Sequence, residues 1–135
     1  MTDAEKIHLM EKQCFSDPWS EKSLEAQLSG GNSIWLVSEE NGVPTGYVIG
    51  TEVCGEAELY RIAVLSEYRR KGIADSLMEA FIGKCRERQA EKVFLEVRSL
   101  NVPAIALYEK YGFERISVRK GYYGDDDAVI FAKKL

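Results

Sequence analysis

The 135-residue chain has a single histidine, His8, three cysteines, three prolines and no apolar run longer than a few residues. A nucleophilic triad built on histidine would rest on that one residue, with no serine or cysteine signature beside it, and is set aside. Cys14, Cys54 and Cys85 are odd in number and far apart, so they suggest neither a disulfide framework nor zinc spacing. No metal is expected, the expected setting is a reduced cytoplasm, and each cysteine is expected to be a small buried hydrophobe. Without long apolar runs no membrane span is expected, and Asp3 and Glu5 stand where a secretion signal would carry bases. An excess of base is also missing. The 18 Lys and Arg stand against 22 Asp and Glu, a net charge of −4, which argues against a nucleic-acid partner.

What remains is a globular composition, 45% apolar and 30% charged, in a chain expected to fold as one domain over residues 1–135. The charge is unevenly spread: residues 1–60 hold 11 acids and 3 bases, residues 61–135 hold 11 acids and 15 bases. This fits an anionic ligand on the C-terminal half and a cationic one on the N-terminal half, and it fits chance equally well.

The segment Ala4–Phe15 repeats apolar residues at Ile7, Met10, Cys14 and Phe15 behind Thr2 and Glu5, the pattern of a capped amphipathic helix. After a break at Ser16-Asp17-Pro18-Trp19, Ser20 is a suitable N-cap for a second helix through Leu24 and Leu28 that stops at Gly30-Gly31. Ile34–Val37 and Tyr47–Val53 flank Glu40-Asn41-Gly42 and predict an antiparallel hairpin. Glu58–Val64 starts with alternation and ends in a continuous apolar run, which predicts a strand that becomes buried on both faces. A helix from Ile73 to Arg88 carries one apolar stripe on Ile73, Leu77, Ala80 and Phe81 and another on Ala74, Met78, Ile82 and Cys85. Lys92–Val97 reads as a strand, Pro103–Tyr111 as a helix ended by Gly112, and short strands are expected near Ile116 and over Ala128–Ala132. The outcome is an α/β domain with a mixed sheet.

Arg69-Arg70-Lys71-Gly72-Ile73-Ala74 lies between the buried strand and the long helix. Unpaired amides and the positive dipole end of a helix, a glycine that admits a ligand to the backbone, and three cations together favour a diphosphate. The spacing is neither a P-loop nor a dinucleotide fingerprint, and a solvated basic turn remains the alternative. Asp125-Asp126-Asp127 lacks the alternating ligands of a calcium loop and is expected to be a solvated hairpin turn.

Arg69-x-x-Gly72-x-Ala74 is similar to the Gln/Arg-x-x-Gly-x-Gly/Ala signature of the GNAT superfamily of acetyl-CoA-dependent N-acetyltransferases. Cys14-Phe15-x-x-Pro18-Trp19-Ser20, Leu95-Glu96-Val97-Arg98-x-x-Asn101, Ala104-Ile105-Ala106-Leu107-Tyr108-Glu109-x-x-Gly112-Phe113 and Tyr122-Tyr123 resemble its RimI group, bacterial enzymes that acetylate the N-terminus of small-subunit ribosomal protein eighteen. The resemblance implies a mostly antiparallel mixed sheet whose central strands splay apart, flanked by helices. It implies acetyl-CoA as cosubstrate, with Ile62, Ala63 and Val64 meeting its acetyl and pantetheine portion. Arg70, Lys71, Gly72, Ile73, Ala74 and Asp75 would cradle its diphosphate, and Asn101 would touch it as well. Glu96 would be the general base and Tyr108 the general acid for the departing thiolate. Outside that context Glu96 reads as a strand carboxylate paired with Arg98, and Tyr108 as a core aromatic.

The implied roles are chemically coherent. An α-amine has a pKa about 2.5 units below that of lysine, so its nucleophilic form is a few hundred times more populated near neutral pH and one carboxylate suffices as base. The expected partner is the N-terminus of a basic ribosomal protein or similar peptide. Glu21, Glu25, Glu56 and Glu58 would attract it, while Trp19 is either an acceptor contact or a core anchor. Three departures accompany the match. Such chains usually begin with a strand before the first helix, which is missing or displaced here, so the strand near Ile34 is expected at an exposed sheet edge, with dimerisation or a different start site as the consequences and a monomer or weak dimer as the assembly. Asp75 puts an anion near the expected diphosphate, and Gly121 and Gly124 stand where the group tends to have Asn and Pro. A lysine side chain or polyamine as acceptor, and a noncatalytic acyl-CoA-binding module, are the competing readings.

Overall fold

Two tight turns set the register of the N-terminal half of the sheet. Asn41 and Gly42 adopt φ of 53° and 80°, and Cys54 and Gly55 adopt 51° and 89°. Paired positive φ values give two-residue turns whose twist matches that of the strands they join. In this computed structural model, which describes residues 1–135, they link β1 (Ser33–Glu40), β2 (Val43–Val53) and β3 (Glu56–Val64) into an antiparallel meander. The remaining strands are β4 (Lys92–Arg98), β5 (Glu114–Arg119) and β6 (Ala128–Lys134), and the sheet order is β1-β2-β3-β4-β6-β5. Only β3 and β4 run parallel. They are joined by α3 (Ile73–Glu87), while α1 (Asp3–Cys14) and α2 (Glu21–Ser29) precede the sheet and α4 (Val102–Lys110) links β4 to β5.

The strand pleat sorts the core into two layers. Val48, Leu59, Val93, Leu95, Val129 and Phe131 face α3 and α4, where they pack with Met78, Phe81, Cys85, Tyr108 and Phe113. Tyr47 and Ile49 alternate to the opposite face and pack with Ile7 and Met10 of α1 and Leu24 of α2. Thr2 Oγ1 accepts the Glu5 amide (3.1 Å) and Ser20 Oγ the Ser23 amide (3.1 Å), so both expected N-caps are in place. Strand β1 lies at the sheet edge, as expected.

Four sequence-based expectations are corrected. Only Cys85 is buried; Cys14 is half-buried and Cys54 is exposed because it forms the β2–β3 turn. Ala80 is exposed although it falls on the expected stripe of α3. Ile62 and Ala63 are half-buried, not enclosed on both faces, because β3 leaves β4 before reaching them. Asp126 is buried while its neighbour Asp125 is solvated.

The pairing of β2 with β3 slips at Gly50, where Tyr60 is the extra residue of a bulge. A Cβ on Gly50 would meet the Phe81 ring at 2.7 Å and the carbonyl of Glu58. Gly50→Ala is therefore expected to lower the urea midpoint by an amount equivalent to roughly 1–3 kcal/mol, the usual cost of overpacking a core. An unchanged midpoint would contradict this tight packing.

Candidate active site

The parallel ladder of β3 and β4 is short. It pairs Glu56, Ala57, Glu58 and Leu59 with Lys92, Val93, Phe94 and Leu95, and the strands then part. Beyond that point β3 keeps its pairing to β2, and β4 keeps its pairing to β6 from Glu96 to Arg98, so each strand turns one unpaired edge toward the gap. The gap is continued by a cavity of about 610 Å³ lined by Ile62, Ala63 and Val64, by Cys14 and Phe15 at the end of α1, and by Asn101, Ala104 and Leu107 of the α4 segment. Its walls are mainly apolar, with free backbone groups along one side, suited to an extended chain carrying amides.

At one end this cavity meets the loop before α3. Val64, Arg69, Arg70 and Ala74 also line a smaller hollow of about 110 Å³ together with Tyr68, Gly72, Ile73 and Asp75. Arg70 and Gly72 both adopt left-handed backbone, φ 64° and 79°. The first intrahelical bond here is donated by Ser76 to the Gly72 carbonyl (3.1 Å), so the amides of Ile73, Ala74 and Asp75 precede the helical ladder. A left-handed residue beside free amides at a helix start forms an anion nest, with the helix dipole adding positive potential. Arg69 Nε donates to the Val64 carbonyl (3.0 Å) and ties the nest to the end of β3. Asp75 turns away: its carboxylate accepts from Lys110 Nζ (2.5 Å) and Tyr111 Oη (2.9 Å), and these bonds hold its pKa below the usual range. Lys71 lines neither cavity; its ammonium lies 3.8 Å from Glu40 and over the Tyr68 ring.

At the other end, Phe15, Ile62, Asn101 and Ala104 are shared with a cavity of about 230 Å³ that also holds Glu96, Tyr108, Asp17, Tyr60, Arg61 and Tyr123. Glu96 and Tyr108 thus face one space. Glu96 is partly exposed and pairs with Arg119 (3.8 Å), while Arg98, its expected partner, reaches Asp125 and lies 4.1 Å from the Tyr123 ring. Tyr108 is buried against Phe113 and Phe131, and burial pushes its hydroxyl up to about 12, so it stays protonated at neutral pH. Asn101 caps α4, its Oδ1 accepting the Ala104 amide (3.3 Å).

A third hollow, about 680 Å³, continues from Tyr60 and Glu96 across the sheet face that α1 and α2 leave uncovered. Glu56 and Glu58 line it without forming any ion pair, above the apolar Phe94 and Ile130. Burial and the nearby Glu96 carboxylate raise the Glu58 pKa. Glu21 and Glu25 of α2 line none of these cavities, Trp19 packs at 6.0 Å against Tyr60, and exposed Tyr122 stacks edge-on against Tyr123. His8 Nδ1 lies 2.9 Å from the Trp19 carbonyl, a structural contact. Arg61 of the 230 Å³ cavity was not singled out from sequence, and Phe15 was named only in the helix pattern and the resemblance motif, with no site role. A charged residue inside the apolar run of β3 was the available signal for Arg61.

The anion nest, the gap between diverging strands and the carboxylate facing a buried tyrosine lie along one connected path on an α/β sheet. The acetyltransferase (GNAT) family model matches residues 4–113, and the chain belongs to that family. It is 36% identical to the ribosomal-protein-alanine N-acetyltransferase of Escherichia coli (strain K12) over 97% of this chain and 90% of that one. The crystal structure of the corresponding Escherichia coli enzyme superposes with a TM-score of 0.91 at 34% identity, covering 99% of this chain and 88% of that one. An N-alpha-acetyltransferase of Saccharolobus solfataricus is 54% identical over 76 residues, 55% of this chain and 46% of its own. The expected GNAT fold and N-acetyltransferase class therefore hold. No helix is long and apolar enough to cross a membrane, and no group of three or more His, Cys, Asp and Glu side chains is arranged to hold a metal ion.

Asp126 fastens the β5–β6 loop that carries Tyr123 to the segment before α4. Its carboxylate accepts from Ser99 Oγ and from the amides of Leu100 (3.1 Å) and Asp127 (2.7 Å). The Ser99 hydroxyl contributes most to a depressed Asp126 pKa. A depressed carboxyl adds stability above its unfolded pKa, near 4, and loses it as pH falls through the lower folded value. Asp126→Asn is expected to lower Tm at pH 7 and to reduce the loss of Tm between about pH 5 and pH 3. Parallel Tm–pH curves for the two proteins would contradict this linkage.

Proposed function

We propose that this protein transfers the acetyl group of acetyl-CoA to the N-terminal α-amine of a protein, with small-subunit ribosomal protein eighteen as the acceptor its relatives suggest. The observation that carries this reading is the continuity of three spaces: an anion nest, an apolar slot beside free strand edges, and a cavity shared by a carboxylate and a protonated phenol. The diphosphate would lie on the nest from Arg70 to Asp75, held by backbone amides and Arg70, with Lys71 adding only long-range charge. The pantetheine arm would run along Ile62, Ala63 and Val64 past Asn101, bringing the thioester to the gap. The setting would be the cytoplasm, where acetyl-CoA and ribosomal proteins meet.

The amine would attack the thioester carbon from the side of Glu96 and Tyr60. Glu96 takes the proton the ammonium must lose and hands it to water, a C–N bond forms as charge develops on the carbonyl oxygen near the β3 edge, and Glu96 then takes the second proton that the nitrogen sheds on becoming an amide. Collapse breaks the C–S bond. A phenol near 12 is a weak acid toward a thiolate near 8.5, so Tyr108 acts first as a hydrogen-bond donor to the departing sulfur. Its proton passes to sulfur only as the proton held by Glu96 replaces it through water, so CoA leaves as the thiol and the phenol stays protonated. The unpaired Glu56 and Glu58 favour an acceptor carrying bases after its first residues.

Glu96→Gln is expected to lower kcat near pH 7 by roughly a hundredfold, with partial recovery as rising pH deprotonates the amine. Tyr108→Phe is expected to lower kcat roughly tenfold without changing the affinity for acetyl-CoA, the scale of one hydrogen bond to a developing charge. Wild-type rates for both variants from pH 6 to 9 would remove the assigned pair. The acceptor is tested by mass spectrometry of acetyl-CoA reactions with a peptide copied from the processed N-terminus of the host's ribosomal protein eighteen, with and without a blocked α-amine. Acetylation of the free peptide alone is expected. Modification of both would favour lysine chemistry, and of neither, despite acetyl-CoA binding, a noncatalytic module.

A further inference from the structure

Glu11 is a charged residue inside an apolar layer. It is 1% exposed, on the face of α1 that presents Ile7 and Met10 to Tyr47, Ile49 and Leu65. Its carboxylate is fully used. Oε2 accepts from Tyr47 Oη (2.5 Å) and Arg61 Nη1 (2.9 Å), and Oε1 accepts from Arg61 Nη1 (3.0 Å) and the Trp19 amide (3.2 Å). Arg61 in turn holds the loop between α1 and α2. Its guanidinium lies 4.1 Å from the Phe15 ring centroid and 5.8 Å from that of Trp19, donates to the Asp17 carbonyl, and pairs with the Asp17 carboxylate (3.3 Å). Every one of these contacts ends on the Phe15–Trp19 loop or on the strands beneath it.

Two of the loop residues, Phe15 and Asp17, line the 230 Å³ cavity with Glu96 and Tyr108, and so does Arg61. Burying an ion pair in an apolar layer gives no more stability than well-packed apolar side chains of similar volume. What it adds is direction, since a forked guanidinium and a four-coordinate carboxylate tolerate one arrangement of their partners. We infer that Glu11 is a positioning residue for the acceptor: through Arg61 and the Trp19 amide it fixes the Phe15–Trp19 loop as the wall against which the incoming amine is aligned. This rests on the acceptor cavity assigned under Proposed function.

The test compares wild type, Glu11→Gln and the double variant Glu11→Met with Arg61→Met. Glu11→Gln is expected to raise KM for the free-ended peptide about tenfold or more while KM for acetyl-CoA stays within twofold. The double variant, which removes both charges of the pair, is expected to regain most of the Tm that Glu11→Gln loses and to keep the raised peptide KM. Recovery of peptide KM together with Tm would reduce the group to a stabilising one and overturn the inference. A second readout does not depend on the acceptor: hydrogen exchange should show faster amides at Phe15, Asp17 and Trp19 in the double variant, with β2 and β6 unchanged. Wild-type protection across the loop would also overturn it. A wild-type enzyme that ignores the peptide would instead count against the acceptor assignment, leaving the exchange result to decide the role of Glu11 in holding the loop.

Discussion

The parting of β3 from β4 is the constraint on which the rest of the molecule depends. Four residue pairs hold the strands together, from Glu56 with Lys92 to Leu59 with Leu95, and beyond them backbone groups on both sides lack a strand partner. Such groups are costly to bury without hydrogen bonds, so the opening must remain wet or be filled by something that carries amides. The neighbouring elements serve that opening. The Tyr60 bulge adds twist just before the divergence, Phe81 packs over Gly50 at the same level, and Arg69 caps the end of β3 through the Val64 carbonyl.

The two faces of the sheet divide the work. On one face α3 and α4 supply most of the core and frame the slot, with α3 also contributing its free N-terminal amides. On the other, α1 and α2 cover β1 and β2 and leave the surface around Glu58, Phe94 and Ile130 open. The nest and the hollow lined by Glu56 and Glu58 are thus separate approaches of opposite charge, and both lead to the space that holds Glu96 and Tyr108. Asp75 shows how local pairing overrides net charge. Bonded to Lys110 and Tyr111, its carboxylate braces α3 against α4 while its amide remains at the nest.

Much of this was legible in sequence because its signals are local. Asn41-Gly42 marks a hairpin, Ser20 a helix start, and Arg69 to Ala74 a nest, each within a few residues. The hairpin at Cys54-Gly55 was missed because its first residue is not one that usually accepts positive φ. The half-exposure of Ile62 and Ala63 was missed because an apolar run looks the same whether protein or a ligand covers it. Asp126 and Glu11 were hidden by distance along the chain. Their partners lie 26 and 27 positions away for Asp126, and 36 and 50 for Glu11, so the acidic run reads as a solvated turn and no local pattern sets Glu11 apart.

The central claim is that the cosubstrate slot and the acceptor cavity are one continuous path meeting at the gap between β3 and β4. The most direct measurement is inhibition by a conjugate in which CoA is joined through its acetyl carbon to the α-amine of the acceptor peptide. The expected result is competition against acetyl-CoA and against free peptide alike, with affinity well above that of either alone, because one molecule fills both spaces. Competition against acetyl-CoA only, with no gain over CoA itself, would mean that the peptide arm finds no place beside the gap and would contradict the account.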